Sequence, residues 1–187
     1  MKTFKLLCLF FVCLATVWSA EAQTARRWSV GLGCGIVDFA KLNLDGAAYS
    51  PLFWGVQADY NWIDTGGNGS VSGGIEYKRI DGQNNLLGSY RVDCDRNIIA
   101  LRGRCLLGSS EQLLNLYLGC AMGLTVEFSH TYGTDSDGKT IDSHRNTRSP
   151  YGRAFAGLRL RVLRNLHLYC EAGLPTEQLQ LGATFQF

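Results

Sequence analysis

The chain has 187 residues, 46% apolar and 18% charged, with 18 Lys+Arg against 16 Asp+Glu. This length suits one domain or at most two, the apolar content excludes a disordered chain, and the balanced charge leaves no basic footprint for nucleic acid. Beyond residue 22 the longest unbroken apolar run is Ile98-Ile99-Ala100-Leu101, so a spanning helix of about 20 apolar residues is excluded there.

Residues 1–22, MKTFKLLCLFFVCLATVWSAEA, start basic at Lys2 and Lys5. An apolar core follows from Leu6 to Val17, broken by Thr16, and the segment ends in the small-x-small pattern Ala20-Glu21-Ala22. This predicts a secretory signal peptide cleaved before Gln23, leaving 23–187 as one domain. Five of the 7 cysteines remain after cleavage: Cys34, Cys94, Cys105, Cys120 and Cys170. The number is odd and no C-x-x-C pair occurs, so neither a disulfide framework nor a metal site is expected from them.

From Trp28 onward the pattern has period 2, the signature of strands whose two faces differ. At 28–36, Trp28, Val30, Leu32, Cys34 and Ile36 oppose Ser29, Gly31, Gly33 and Gly35. At 52–62, Leu52, Trp54, Val56, Ala58, Tyr60 and Trp62 oppose Phe53, Gly55, Gln57, Asp59 and Asn61. Residues 71–78 set Val71, Gly73, Ile75 and Tyr77 against Ser72, Gly74, Glu76 and Lys78. Residues 97–107 set Ile99, Leu101, Gly103, Cys105 and Leu107 against Ile98, Ala100, Arg102, Arg104 and Leu106. The clearest segment is 114–128: alternate positions from Leu114 to Phe128 are all apolar, facing away from Asn115, Tyr117, Gly119, Ala121, Gly123, Thr125 and Glu127. At 152–162, Ala154, Ala156, Leu158, Leu160 and Val162 oppose Arg153, Phe155, Gly157, Arg159 and Arg161. At 166–174, Leu166, Leu168, Cys170, Ala172 and Leu174 oppose His167, Tyr169, Glu171 and Gly173. In the last segment Leu179, Leu181, Ala183, Phe185 and Phe187 oppose Gln178, Gln180, Gly182, Thr184 and Gln186.

Eight strands and no amphipathic helix predict an all-β fold. The connections are 37–51, 63–70, 79–96, 108–113, 129–150, 163–165 and 175–177. Apart from the last, odd ones are long and even ones short. An up-and-down barrel collects alternate connections at its two ends, and long loops at one end with tight turns at the other is the outer-membrane pattern. The expected fold is therefore an eight-stranded antiparallel up-and-down transmembrane β-barrel.

A soluble barrel would turn the apolar face inward. Three features point the other way. The second face is crowded with Gly and Ala, which weaken an exposed strand but fit a narrow lumen. It also carries charges of both signs: Asp59, Glu76, Lys78, Arg102, Arg104, Glu127, Arg153, Arg159, Arg161 and Glu171. Inside a barrel these must pair, and Arg engages carboxylates bidentately. Finally, aromatics bracket the apolar face. Trp54 and Trp62 lie roughly 26 Å apart along their strand at ~3.3 Å per residue. At a tilt of about 40° that is roughly 20 Å of depth, somewhat below the ~25 Å apolar band. Trp28, Tyr77, Phe128, Phe185 and Phe187 complete an expected aromatic girdle. Cys34, Cys105, Cys120 and Cys170 fall on the lipid face as small apolar residues, whereas Cys94 falls in a loop.

With the signal peptide, the eight alternating strands and the final Leu179-Gln180-Leu181-Gly182-Ala183-Thr184-Phe185-Gln186-Phe187, the sequence resembles the small outer-membrane β-barrel proteins of Gram-negative bacteria, the OmpA/OmpX type of the porin-like superfamily. The resemblance implies a monomer in the cell outer membrane, in contact with outer-membrane lipid and lipopolysaccharide. It also implies that Phe185 and Phe187 are read by the barrel-assembly machinery. No cofactor and no nucleic-acid partner are implied.

A fold of this kind fixes a compartment more firmly than an activity. The expected role is structural or surface-interaction, with the polar 129–150 loop as contact surface for an unidentified extracellular ligand. One alternative is a narrow anion-favouring channel through the Arg-rich lumen, but eight strands leave an interior that side chains just fill. The other is a lipid A-modifying enzyme using His130 beside Ser129, or His144 beside Ser143 with Asp142 and Asp135 near. The His-x-Ser-Asn arrangement of the deacylases is missing, since Arg145-Asn146 follow His144. His130 and His144 read as solvated loop residues, His167 as a member of the lumen network, and no catalytic residue is assigned.

Overall fold

The computed structural model describes residues 28–37, 49–64, 69–86, 90–108, 112–134, 139–175 and 177–187. The expected signal peptide, 1–22, lies outside them. Eight strands form the fold: β1 (Trp28–Val37), β2 (Tyr49–Asp64), β3 (Gly69–Leu86), β4 (Tyr90–Leu107), β5 (Leu114–Thr134), β6 (Thr140–Arg161), β7 (Leu166–Leu174) and β8 (Glu177–Gln186). Each pairs antiparallel with the next, and β1 also pairs with β8, so the sheet closes into a barrel. No helix among the described residues is long and apolar enough to cross a membrane.

The period of 2 decides which residues point where. On β5, Leu116 and Leu118 are 57% and 56% exposed, whereas Tyr117 between them is 1% exposed. The same inversion runs round the barrel. Leu32, Val56, Ile75, Ile99, Leu101, Met122, Leu124, Leu158 and Leu181 are exposed, while Asp59, Glu76, Lys78, Arg102 and Glu171 are buried. Soluble monomers rarely expose contiguous apolar surface of that extent. The inside-out distribution is what a barrel wrapped in lipid requires, because its polar groups can be satisfied only internally.

Lumen glycines make room for rings. A Cβ at Gly33 or Gly182 would run into Tyr169, one at Gly157 into Tyr117, and one at Gly119 into Phe155. The high glycine content thus converts into interior aromatic volume. Gly108, just past β4, has φ +90°, a left-handed conformation that favours glycine where the chain leaves a strand.

The strands are longer than the sequence pattern predicts. The expected connections 79–96 and 129–150 are mostly strand: β3 runs to Leu86, β4 starts at Tyr90, β5 runs to Thr134, and β6 starts at Thr140. The expected polar loop is a β-hairpin, and His130 and His144 sit on strands. The physical reason is solvation. In the β5–β6 hairpin above the apolar belt both faces of the strands meet water. In 79–96 the inward face stays buried at Ile80 and Cys94 while the outward face turns ionic. In both segments the apolar alternation therefore stops although pairing continues. Cys94 is likewise on β4, buried at 3% exposure, not in a loop. Among the described residues, no disulfide joins Cys34, Cys94, Cys105, Cys120 or Cys170.

At one end of the barrel β2 ends at Asp64 and β3 begins at Gly69, β4 ends at Leu107 and β5 begins at Leu114, and residues 162–165 join β6 to β7. Trp28 and Phe187 are bonded to each other there through their backbones. At the other end β3 to β6 rise beyond the rest as a sheet. The last β6–β7 pair is Ala154 with Leu174. Among the described residues, β6 above that point pairs only with β5.

Candidate functional site: an ion-paired interior and an ionic collar

The lumen charges converge from five strands. Arg102 (β4) donates to Glu171 (β7) at 2.7 Å and lies 3.4 Å from Glu76 (β3) and 3.5 Å from Asp59 (β2). It also donates to Gln57. Arg153 (β6) reaches Glu171 at 2.8 Å, Glu76 at 3.5 Å and the Gln180 side-chain carbonyl at 3.3 Å. Arg104 binds Asp59 at 3.2 Å and Ser72 at 3.1 Å, and Lys78 lies 3.5 Å from Glu76. Four cations and three carboxylates therefore share one centre. Shared carboxylates suit a confined interior, since a charge left there without a partner would be costly.

Rings pack the spaces between the charges. Tyr117 donates to Glu171 at 3.0 Å, and Gln180 donates to the Tyr169 hydroxyl at 2.9 Å. Arg102 and Arg153 lie over the Phe155 ring at 5.0 and 4.4 Å, and Arg104 over Tyr117 at 5.5 Å. These are cation–π distances. Below the centre, Arg159 contacts His167 Nε2 at 2.7 Å. A guanidinium can only donate, so Nε2 accepts and the ring proton sits on Nδ1.

The sequence grouped ten charged residues on this face; eight of them line the deep interior. Glu127 and Arg161 are only partly buried and stand near the two mouths. Glu127 pairs with Arg96, whose Nε and Nη2 lie 3.0 and 2.6 Å from one carboxylate oxygen. Reasoning from charge alone missed Gln57, Ser72, Tyr117, Phe155, Tyr169 and Gln180. Their signal was the strand parity they share with the charged residues.

Outside, Trp54 and Tyr77 meet edge to face at 5.7 Å, with Phe128 on the same side of the barrel's length. Toward the opposite end, Trp28 packs on Tyr60 at 4.9 Å and Phe185 on Phe187 at 6.4 Å. Trp62 lies beyond Tyr60 on the same strand. The Tyr77 hydroxyl donates to Asn97 at 2.6 Å.

Beyond Tyr77, level with Trp54 and Phe128, the outer face turns ionic. Arg79 binds Asp81 at 2.7 Å and Asp95 at 3.1 Å, and Arg91 binds Asp93 at 3.1 Å. The Asp81 hydrogen bond, aided by the Asp95 charge, raises the Arg79 guanidinium above its ordinary value. Next to this collar His130 stacks on His144, and both face Asp142.

This geometry has the fold of the small outer-membrane β-barrels. The chain is similar to Ail, the attachment invasion locus protein of Yersinia pestis, at TM-score 0.53 and 13% identity, covering 87% of this chain and 97% of that one. A second Ail structure, in complex with the heparin analogue sucrose octasulfate, gives TM-score 0.51 at 15% identity, covering 88% and 100%. A major outer membrane protein from Thermus thermophilus gives TM-score 0.50 at 14% identity, also covering 88% and 100%. The sequence matches no family model and no curated protein.

Proposed function

We propose that this chain is an exported outer-membrane barrel that serves as a rigid, closed support for a surface-interaction hairpin. The carrying observation is the change along β5 and β6. Below Phe128 their outward residues are mostly apolar; above it the hairpin is polar, and most of β6 there is exposed on both faces. A hairpin raised above an apolar belt belongs in water beside a membrane. In this reading Trp54, Tyr77 and Phe128 mark the outer interface, and Trp28, Trp62, Phe185 and Phe187 the periplasmic one. Phe185 and Phe187 also serve as the barrel-assembly signal, and lipopolysaccharide surrounds the collar.

The contact surface is the β5–β6 hairpin, residues 129–150. Its outer edge on β6 offers backbone N–H and C=O groups that no described strand takes. An extended ligand segment can pair with such an edge. The channel alternative is disfavoured by the Arg102–Glu171–Arg153 centre, whose side chains occupy the bore. The enzyme alternative is disfavoured by strand geometry: Ser129 and His130, like Ser143 and His144, are consecutive strand residues whose side chains leave on opposite faces.

Labelling of intact cells with a membrane-impermeant maleimide tests location and orientation together. Thr140→Cys, on the raised hairpin, should be labelled. Leu163→Cys, in a tight turn at the other end, should be labelled only after lysis. The parent chain should stay unlabelled, since its cysteines face lipid or the interior. Labelling of Leu163→Cys and not Thr140→Cys in intact cells would overturn the orientation. Recovery of the chain in the soluble fraction would overturn the location.

A further inference from the structure

We propose that His130, Asp142 and His144 form a binding site for a divalent transition-metal ion of the Zn2+ class. His130 and His144 are directly opposite each other in the β5–β6 register. Asp142 precedes His144 by two residues and so shares its face. The imidazole rings stack at 4.1 Å with 12° between their planes. Both Nε2 atoms turn to one oxygen: Asp142 Oδ1 lies 2.8 Å from that of His130 and 3.6 Å from that of His144. The three residues' donor atoms all lie within 4.8 Å of one another.

The donor set selects the ion. Two imidazole nitrogens and one carboxylate suit Zn2+, Ni2+ or Cu2+, whereas Ca2+ and Mg2+ prefer all-oxygen shells. A tetrahedral Zn2+ with bonds of about 2.0–2.1 Å needs donors about 3.3 Å apart. Binding one ion requires the two stacked rings to splay until both Nε2 lone pairs converge, a rearrangement open to exposed side chains. Their relative exposures are 39% for His130, 66% for Asp142 and 74% for His144, so water can complete the coordination shell. The two histidines also wall a shallow pocket of ≈ 250 Å³ with Asp93, Asp95 and Arg145. The expectation of no metal site rested on cysteine spacing; this set is built from histidine and is visible only once both strands are drawn through it.

The position gives the ion a consequence. Here β6 has one strand neighbour among the described residues, and the ion bridges it to that neighbour near the hairpin tip. Metal binding therefore tightens the segment that carries the proposed contact surface, a stabilisation that grows with free metal concentration.

Calorimetric titration of ZnCl2 into tag-free, chelator-stripped protein in detergent tests the site. One ion per chain is expected. His130→Ala and His144→Ala should each weaken uptake at least about tenfold, since loss even of an outer-shell partner costs about 10–100-fold. Asp81→Asn, on the collar but outside the set, should bind as the parent does. Heat-modifiable gel mobility checks that each variant is folded. On the parent alone, Zn2+ should protect His130 and His144 from diethyl pyrocarbonate, read by peptide mass spectrometry. No saturable uptake by the parent, uptake undiminished in His144→Ala, or unprotected histidines would each overturn the proposal.

Discussion

Arg102 on β4 and Glu171 on β7 meet at 2.7 Å inside the barrel although 69 residues separate them in the chain. Their strands are not neighbours in the sheet, so only the closed barrel brings them together. Glu171 is shared with Arg153 and Tyr117, which come from β6 and β5. One carboxylate on β7 thus draws together side chains from three other strands.

Removing one partner of such a centre strands the rest. Glu171→Gln keeps the shape and removes the charge, leaving Arg102 and Arg153 facing each other's field. A loss of about 3–5 kcal/mol is expected, the range for breaking a buried pair. Arg102→Gln should cost a similar amount. The double substitution should cost clearly less than the two losses together, because neither partner is then left facing an unmatched charge. Urea unfolding in lipid vesicles measures all three. Additive losses would mean that the two side chains do not interact.

The glycine assignments are testable by size. Gly157→Ala places a methyl group against the Tyr117 ring and should cost about 1–3 kcal/mol as an overpacked interior. Gly152→Ala, on the neighbouring stretch of β6, meets nothing within 4 Å and should leave stability unchanged or slightly raised. The same unfolding measurement compares them. Equal effects would contradict the filled lumen.

How much of this was legible beforehand depended on what surrounded each strand. In β5 between Leu114 and Phe128, lipid on one side and lumen on the other force alternation, and the sequence displays it without a break. Above Phe128 water lies on both sides, so His130, Tyr132, Asp142 and His144 show no apolar rhythm and read as loop. The inward parity of Arg102 and Glu171 was readable from their own strands. Their partnership was not, because it depends on barrel closure and register. The same holds for His130 and His144, which become neighbours only when β5 and β6 pair residue for residue.

The outward face should tolerate shape changes better than charge. Leu118, 56% exposed within the apolar stretch of β5, is the site to test. Leu118→Arg should cost about 2–4 kcal/mol, as a cation at the bilayer midplane does. Leu118→Ser, polar but uncharged, should cost less. Folding yield into vesicles, read by heat-modifiable gel mobility, ranks the two. If arginine is no more disruptive than serine, Leu118 does not face hydrocarbon.

The interior centre also bears on permeation. Side chains of Asp59, Arg102, Arg153 and Glu171 are each at most 1% exposed, so the bore is blocked at mid-height by charges that bind one another more readily than a passing ion. Purified protein in a planar bilayer should therefore be silent. Arg102→Ala combined with Arg153→Ala removes the two guanidinium groups that bridge the carboxylates and leaves an acidic gap beside Phe155. If that variant still folds, any current it carries should favour cations, opposite to what an Arg-lined pore would select. Stable anion-selective unitary steps from the unmodified chain would show instead that water threads past the ion pairs, and the interior would then be a conducting pore.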